Sequence, residues 1–193
     1  MSLKIFLGPM YAGKTSKLIK MYKEDTNENK VIIDYDISEV SYGVLFGSLS
    51  SHVNKTINSV LKCKELNLLY NQEKYAIFSE DLLVHYYNLF QNSNNIYINE
   101  AQFFPDLKEF VLKMLPYGKN IYIYGLDADF KQEKFGQIWD LIPYATTIEK
   151  ITDKCEKCDN PSIISHRISE NTEQYLTDEK CYIPLCLNCS YKL

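Results

Sequence analysis

Short apolar runs recur along the first 150 or so residues, each followed by polar residues and then by a stretch with helical spacing. Lys4-Ile5-Phe6-Leu7 reads as a buried strand, and Thr15 to Tyr22 after it as a helix. Val31-Ile32-Ile33 predicts a second buried strand that ends in Asp34-Tyr35-Asp36, at the carboxyl end where polar ligand contacts are expected. From Ser38 to Asn54 the chain is rich in Ser, Gly and Asn and reads as a long binding or lid loop. Val60 to Tyr70 has helical spacing, and Asp81 to Phe90 reads as a further amphipathic helix. Ile96-Tyr97-Ile98 is a strand running into Asn99-Glu100-Ala101-Gln102-Phe103-Phe104, after which Pro105 opens a helix to about Met114. Gly118 ends that helix. Asn120-Ile121-Tyr122-Ile123-Tyr124 is the next strand, leading into Gly125-Leu126-Asp127-Ala128-Asp129-Phe130, and Ile148 to Ile151 predicts a last one. Strand and helix alternate, which predicts an α/β fold with a mainly parallel sheet flanked by helices.

The turn between the first strand and first helix carries the most specific chemistry. Gly8-Pro9-Met10-Tyr11-Ala12-Gly13-Lys14-Thr15 fits Gly-x4-Gly-Lys-Ser/Thr, the P-loop. Backbone N–H groups of such a loop surround phosphates, the lysine reaches the terminal ones and the hydroxyl binds Mg²⁺. The strand–loop–helix setting is the one this motif requires, so the chain is expected to bind a nucleoside triphosphate in a RecA-like P-loop NTPase fold.

A P-loop enzyme also needs an acidic group at a neighbouring strand end. Glu100 is the carboxylate at the end of the Ile96–Ile98 strand and is the candidate general base, while Asp127 and Asp129 after the following strand are alternatives.

Composition narrows the partners. The 193 residues are 46% hydrophobic, enough for one sizeable core and a small appendage. The net charge of −4 leaves no basic surface for nucleic acid or an anionic membrane. No apolar run approaches a membrane span and the polar start Met1-Ser2-Leu3-Lys4 reads as no secretory signal, so the expectation is a cytoplasmic enzyme.

Cysteine spacing defines the appendage. Cys155-Glu156-Lys157-Cys158 and Cys186-Leu187-Asn188-Cys189 are two CxxC knuckles, suited to the four thiolates of a structural Zn²⁺. Cys63 and Cys181 lie outside this spacing. The chain thus divides into 1–150, a P-loop α/β domain, and 151–193, a small zinc-ribbon-like domain. Between the knuckles, Ser165 to Tyr182 is polar, and zinc at both ends would fix the feet of this excursion and offset its closure entropy.

Four blocks taken together resemble one family. They are Gly8 to Thr15; Asn99-Glu100-Ala101-Gln102-Phe103-Phe104-Pro105-Asp106; Leu126-Asp127-Ala128-Asp129-Phe130 with Phe135-Gly136; and the two knuckles with Tyr182 ahead of the second. In this order the chain resembles the zinc-containing, P-loop (type II) thymidine kinases of animal cells, many bacteria and large DNA viruses. The resemblance implies transfer of a phosphate from MgATP to the 5′-hydroxyl of thymidine. It places Gly8, Pro9, Met10, Tyr11, Ala12, Gly13, Lys14 and Thr15, with Asn99 and Gln102, around ATP, Thr15 on Mg²⁺, and Glu100 as catalytic base. Met10, Phe103, Leu126, Phe130 and Phe135 match apolar positions around the base. A zinc-anchored "lasso" would cover the nucleoside through Ser165, Glu173, Gln174, Tyr175, Leu176, Thr177 and Tyr182. The resemblance also implies a homotetramer and feedback inhibition by thymidine triphosphate.

The chain departs from that pattern in several places. Asn99 stands where the family has Asp. Asp34-Tyr35-Asp36-Ile37-Ser38 stands where it has Lys-Tyr and then Asp-x-Arg, leaving Lys14 or a basic residue distant in sequence to neutralise phosphate. His52-Val53 replaces a His-Asp pair, and the lasso lacks its glycine pair near Thr177-Asp178. Two further readings are a non-catalytic or altered-specificity deoxynucleoside-binding relative and a zinc module touching nucleic acid, against which the acidic charge counts.

Overall fold

The computed structural model describes residues 1–37, 45–51, 55–70 and 90–192. Its strands are β1 (Ser2–Leu7), β2 (Lys30–Tyr35), β3 (Leu45–Ser50), β4 (Thr56–Cys63), β5 (Asn95–Ile98), β6 (Asn120–Gly125), β7 (Thr147–Lys150), β8 (Ile164–Arg167) and β9 (Tyr182–Leu185). The helices are α1 (Lys14–Glu24), α2 (Leu107–Met114) and the short α3 (Leu187–Ser190).

Seven strands form one sheet in the order β3-β4-β2-β5-β6-β1-β7, with β3 alone antiparallel to its neighbour. The inner strands are apolar on both faces because both faces are covered. On one face Leu3, Ile5, Ile33, Ile98, Ile121 and Ile123 pack with Phe104, Phe110 and Val111 from the α2 side. On the other, Phe6, Ile32, Val60, Tyr97 and Tyr124 pack with Leu18 and Ile19 of α1. Here aromatic rings serve as core: Phe6 stacks on Tyr124 at 4.6 Å between centroids, and Tyr97 on Tyr122 at 4.4 Å. The parallel strands all end on one side, where their carboxyl termini meet the N-terminus of α1.

Two expectations change. Val60 to Cys63 belongs to strand β4, and only Leu66–Leu69 forms a short 3₁₀ turn. Val60, Leu61 and Cys63 are all fully buried on an inner strand, so the apolar doublet that imitates helical spacing serves both faces of a sheet. Within the expected loop from Ser38 to Asn54, Leu45–Ser50 is strand β3, paired with β4. Its Ser and Gly residues are weak strand formers, and the pairing comes from the neighbour. Residues 38–44 and 52–54, with His52 and Val53, and 81–89 of the expected helix lie outside the described residues.

After β7 the chain builds a separate antiparallel pair, β8–β9, with Ile164↔Leu185 and Arg167↔Tyr182 in register. The stretch from Ser165 to Tyr182 is therefore less uniform than its polarity suggests. Its ends are buried strand residues, Ser165, Arg167 and Tyr182, and the exposed part is confined between them. Among the described residues no helix is long and apolar enough to cross a membrane.

Candidate active site

The P-loop runs from the end of β1 into α1, and two of its residues have left-handed backbone: Gly13 (φ 81°) and Tyr11 (φ 64°). Gly8 has a different reason to be glycine, since a Cβ there would lie 2.2 Å from the carbonyl oxygen of Ile151. Lys14 is buried and donates through Nζ to the Pro9 carbonyl at 2.7 Å. Burial pulls its pKa down, with Glu100, Asp127 and Glu179 acting in the opposite direction.

Glu100 follows β5 with left-handed backbone, φ 48° and ψ 40°, a conformation that costs a non-glycine residue about 1–3 kcal/mol. Its carboxylate accepts from Gln102 Nε2 at 2.6 Å, while Gln102 Oε1 accepts the Leu126 N–H at 3.0 Å. Gln102 thus fixes the base candidate and the start of the loop after β6 together. Burial pushes the Glu100 carboxyl above the usual carboxylate range, and Lys14 and the Gln102 hydrogen bond only partly offset it.

Beside it, Asn99 Nδ2 donates to Asp34 Oδ1 at 2.9 Å, and Lys62 Nζ pairs with Asp34 Oδ2 at 3.3 Å. Asp127 and Asp129 are committed elsewhere. Asp127 pairs with Lys150 at 2.6 Å, and Asp129 caps its own turn through the N–H groups of Lys131 and Glu133.

A cleft of about 290 Å³ gathers Met10, Tyr11, Gly13, Lys14 and Thr15 with Asn99, Glu100, Phe103 and Leu126. Its far walls bring Asp34, Lys62, Tyr175 and Glu179. Met10, Leu126 and Tyr175 also line a second, small cavity of about 10 Å³ with Phe130, Phe135, Ser165, Gln174 and Tyr182. Phe103 bridges the two, edge-on to Phe135 at 5.2 Å and to Tyr175 at 4.6 Å. Gly8, Pro9, Ala12 and Gln102 do not line the cleft, and Glu173, Leu176 and Thr177 line neither cavity.

The lasso is held to the P-loop at two points. The Met10 N–H donates to Ser165 Oγ at 2.9 Å, and the Tyr11 hydroxyl to the Glu179 carbonyl at 2.6 Å. Gln174 Nε2 adds a bond to Asp129 Oδ2 at 3.0 Å, and Leu176 N–H donates to the Tyr182 hydroxyl at 2.9 Å. At its centre is a residue that pattern reading missed, Arg167. Its guanidinium donates to the carbonyls of Asn171, Glu173 and Gln174 and to the Tyr182 hydroxyl. It also stacks over the Phe130 ring, 3.6 Å from the centroid. The available signal was compositional, because Arg167 is the only arginine in the chain.

All four knuckle sulfurs lie within 4.8 Å of one another, with Cys158–Cys186 and Cys158–Cys189 separations of 3.6 Å. Zn–S bonds of about 2.3 Å give a tetrahedron with sulfur–sulfur edges of about 3.8 Å, whereas a disulfide needs about 2.05 Å. The four thiols therefore fit one metal ion. Cys63 and Cys181 stay outside the cluster.

A family model described as thymidine kinase matches residues 1–190. The chain belongs to the thymidine kinase family. It is 31% identical to the thymidine kinase of Fowlpox virus (strain NVSL) over 193 residues, 98% of this chain and 97% of that one. Thymidine kinase 1 of Dictyostelium discoideum is 29% identical, with 97% and 76% covered, and the cytosolic thymidine kinase of Bos taurus 25%, with 98% and 72% covered. Membership in the thymidine kinase family agrees with the P-loop, Glu100 and four-cysteine blocks in their order along the sequence.

Proposed function

We propose that the chain transfers the γ-phosphate of ATP to the 5′-hydroxyl of thymidine. The observation that carries this reading is the placement of Glu100 in the same cleft as Lys14 and Thr15, next to an apolar cavity roofed by the lasso. In this reading the P-loop backbone and Lys14 hold the phosphates. Glu100 faces the donor site and accepts the proton of the attacking hydroxyl. Its raised pKa suits it to take a proton, since desolvation opposes its charge. Met10, Leu126, Phe130 and Phe135 line the second cavity, which at about 10 Å³ has to open to admit the base beneath the Ser165–Tyr182 segment. The oxygens of Thr15, Asp34 and Asn99 line the same cleft and suit a hard cation. Mg²⁺ bound with ATP supplies neutralisation of the charge on the transferring phosphoryl group.

Zn²⁺ in the Cys155, Cys158, Cys186 and Cys189 cluster would pin the ribbon of residues 151–193 and hence the lasso's feet. We read thymidine triphosphate as a feedback ligand spanning the base cavity and the P-loop. We also read the chain as a cytoplasmic homotetramer. Among the described residues β7 pairs on one side only and its residues are exposed, which leaves an edge for assembly. The test is ADP formation with MgATP across thymidine, deoxyuridine, deoxycytidine and the purine deoxynucleosides. Strict dependence on thymidine is expected; nucleoside-independent hydrolysis that persists in Glu100→Gln would sink the reading.

A further inference from the structure

The triphosphate cleft holds a second cation whose position is built into the sheet. A triphosphate carries several negative charges, and catalysis of its transfer rests on neutralising them in place. P-loop Lys14 supplies one cation. The sequence offers no Lys or Arg between 37 and 54, and the single arginine, Arg167, is consumed in the lasso. Among the residues lining the cleft, the other cation is Lys62.

Lys62 sits at the carboxyl end of β4, in register with Asp34 on the parallel strand β2. The Asn99 N–H bonds the Ile33 carbonyl, so Asn99 is next along the same level of the sheet. By strand alternation Lys62, Asp34 and Asn99 project from the face that carries Val60, Ile32 and Tyr97, which is the face covered by α1 and entered by the P-loop. Two contacts fix the lysine there, and a third holds its partner. Its ammonium meets Asp34, the Asp34 carboxylate is held in turn by the Asn99 amide, and its stem crosses Gly47 of β3. A Cβ at position 47 would lie 2.7 Å from Lys62 Cε, so the glycine leaves the channel through which the stem reaches the cleft. The side chain is 29% exposed against 8% for Asp34, so the ammonium is steered by the carboxylate yet open to a ligand. The ion pair with Asp34 engages one of three ammonium donors.

We propose that Lys62 is a triphosphate-binding residue of the ATP site, aimed into the cleft by Asp34 and Asn99. This rests on the nucleotide-donor reading above. Asp34 beside a polyphosphate would repel it unless a cation neutralised the carboxylate, and Lys62 is the cation that the protein itself places there.

The test is calorimetric binding of a non-hydrolysable ATP analogue with Mg²⁺, and of inorganic tripolyphosphate, to the full chain. Lys62→Met, which keeps the stem and removes the charge, is expected to weaken both about tenfold or more, in line with the loss of a charge-assisted contact. Lys62→Arg should stay within about threefold. The double variant Asp34→Asn/Lys62→Met separates phosphate binding from simple neutralisation of Asp34. It also lacks the Asp34 repulsion, yet should still bind at least about threefold more weakly than the parent. Unchanged affinity in Lys62→Met, or recovery of the parent's affinity in the double variant, overturns the proposal. Binding is read without turnover, so a chain that phosphorylates no nucleoside would defeat the kinase reading and leave this measurement decisive for Lys62.

Discussion

The Met10 backbone N–H donates to Ser165 Oγ at 2.9 Å, which joins the P-loop to the first strand of the ribbon across 155 positions of sequence. The P-loop and the 165–182 segment are therefore tied together at this point. Ser165→Ala removes the acceptor and leaves the N–H to find another. The expected loss is about 1–2 kcal/mol, read as a fall of about 2–8 °C in the thermal transition, together with a raised KM for thymidine.

Glu100 gives a pH signature in stability. Its folded pKa is raised by burial, so its contribution is full below the unfolded pKa and is lost as pH rises through the folded value. Glu100→Gln cannot ionise and escapes that loss. The variant's melting temperature should therefore gain on the parent's as pH rises above the ordinary glutamate range and level off once the folded carboxyl has ionised. A constant difference as pH rises would contradict the buried, desolvated carboxylate.

Arg167→Lys tests the lasso hub. An ammonium cannot reproduce a planar fork that serves three carbonyls and a phenol while stacking on Phe130. The expected result is a rise of about tenfold in KM for thymidine, with KM for ATP within about twofold. Equal loss on both substrates would move the residue's role from the lasso to the core.

Metal removal should separate the two halves of the chain. The four knuckle sulfurs fit one ion, and the main sheet has its own core apart from them. Cys186→Ser, or a strong chelator, is expected to lower bound zinc from about one ion per chain. It should abolish thymidine protection of the lasso against proteolysis while leaving the circular-dichroism signal of the sheet in place. Loss of the whole fold would show that the ribbon is needed for more than the lasso.

Much of the parallel sheet was legible because β1, β2, β5 and β6 are short apolar runs followed by polar ends, and the P-loop and both knuckles have fixed spacing. Residues 60–63 were misread because a strand buried on both faces shows the same apolar doublets as a helix. Leu45–Ser50 has little strand propensity of its own and is a strand by virtue of β4. At the site, Glu100 stands out in the sequence by its place after a strand, and the structure puts it in the cleft with Lys14. The bonds of the Gln102 amide to Glu100 and Leu126 have no trace in the local pattern. Asp34, Lys62 and Arg167 act through partners on other strands or on the lasso, and pairings between strands leave no local pattern. The lone arginine was the one compositional trace.

The central claim is phosphate transfer to thymidine with Glu100 as base. It is tested most directly by following ADP and thymidine monophosphate together in wild type and Glu100→Gln. The account predicts the two products in a one-to-one ratio and a fall of about 10²–10⁴ in kcat for the variant, with ATP-analogue affinity retained. ADP formed without thymidine monophosphate, or a variant as fast as wild type, would contradict it.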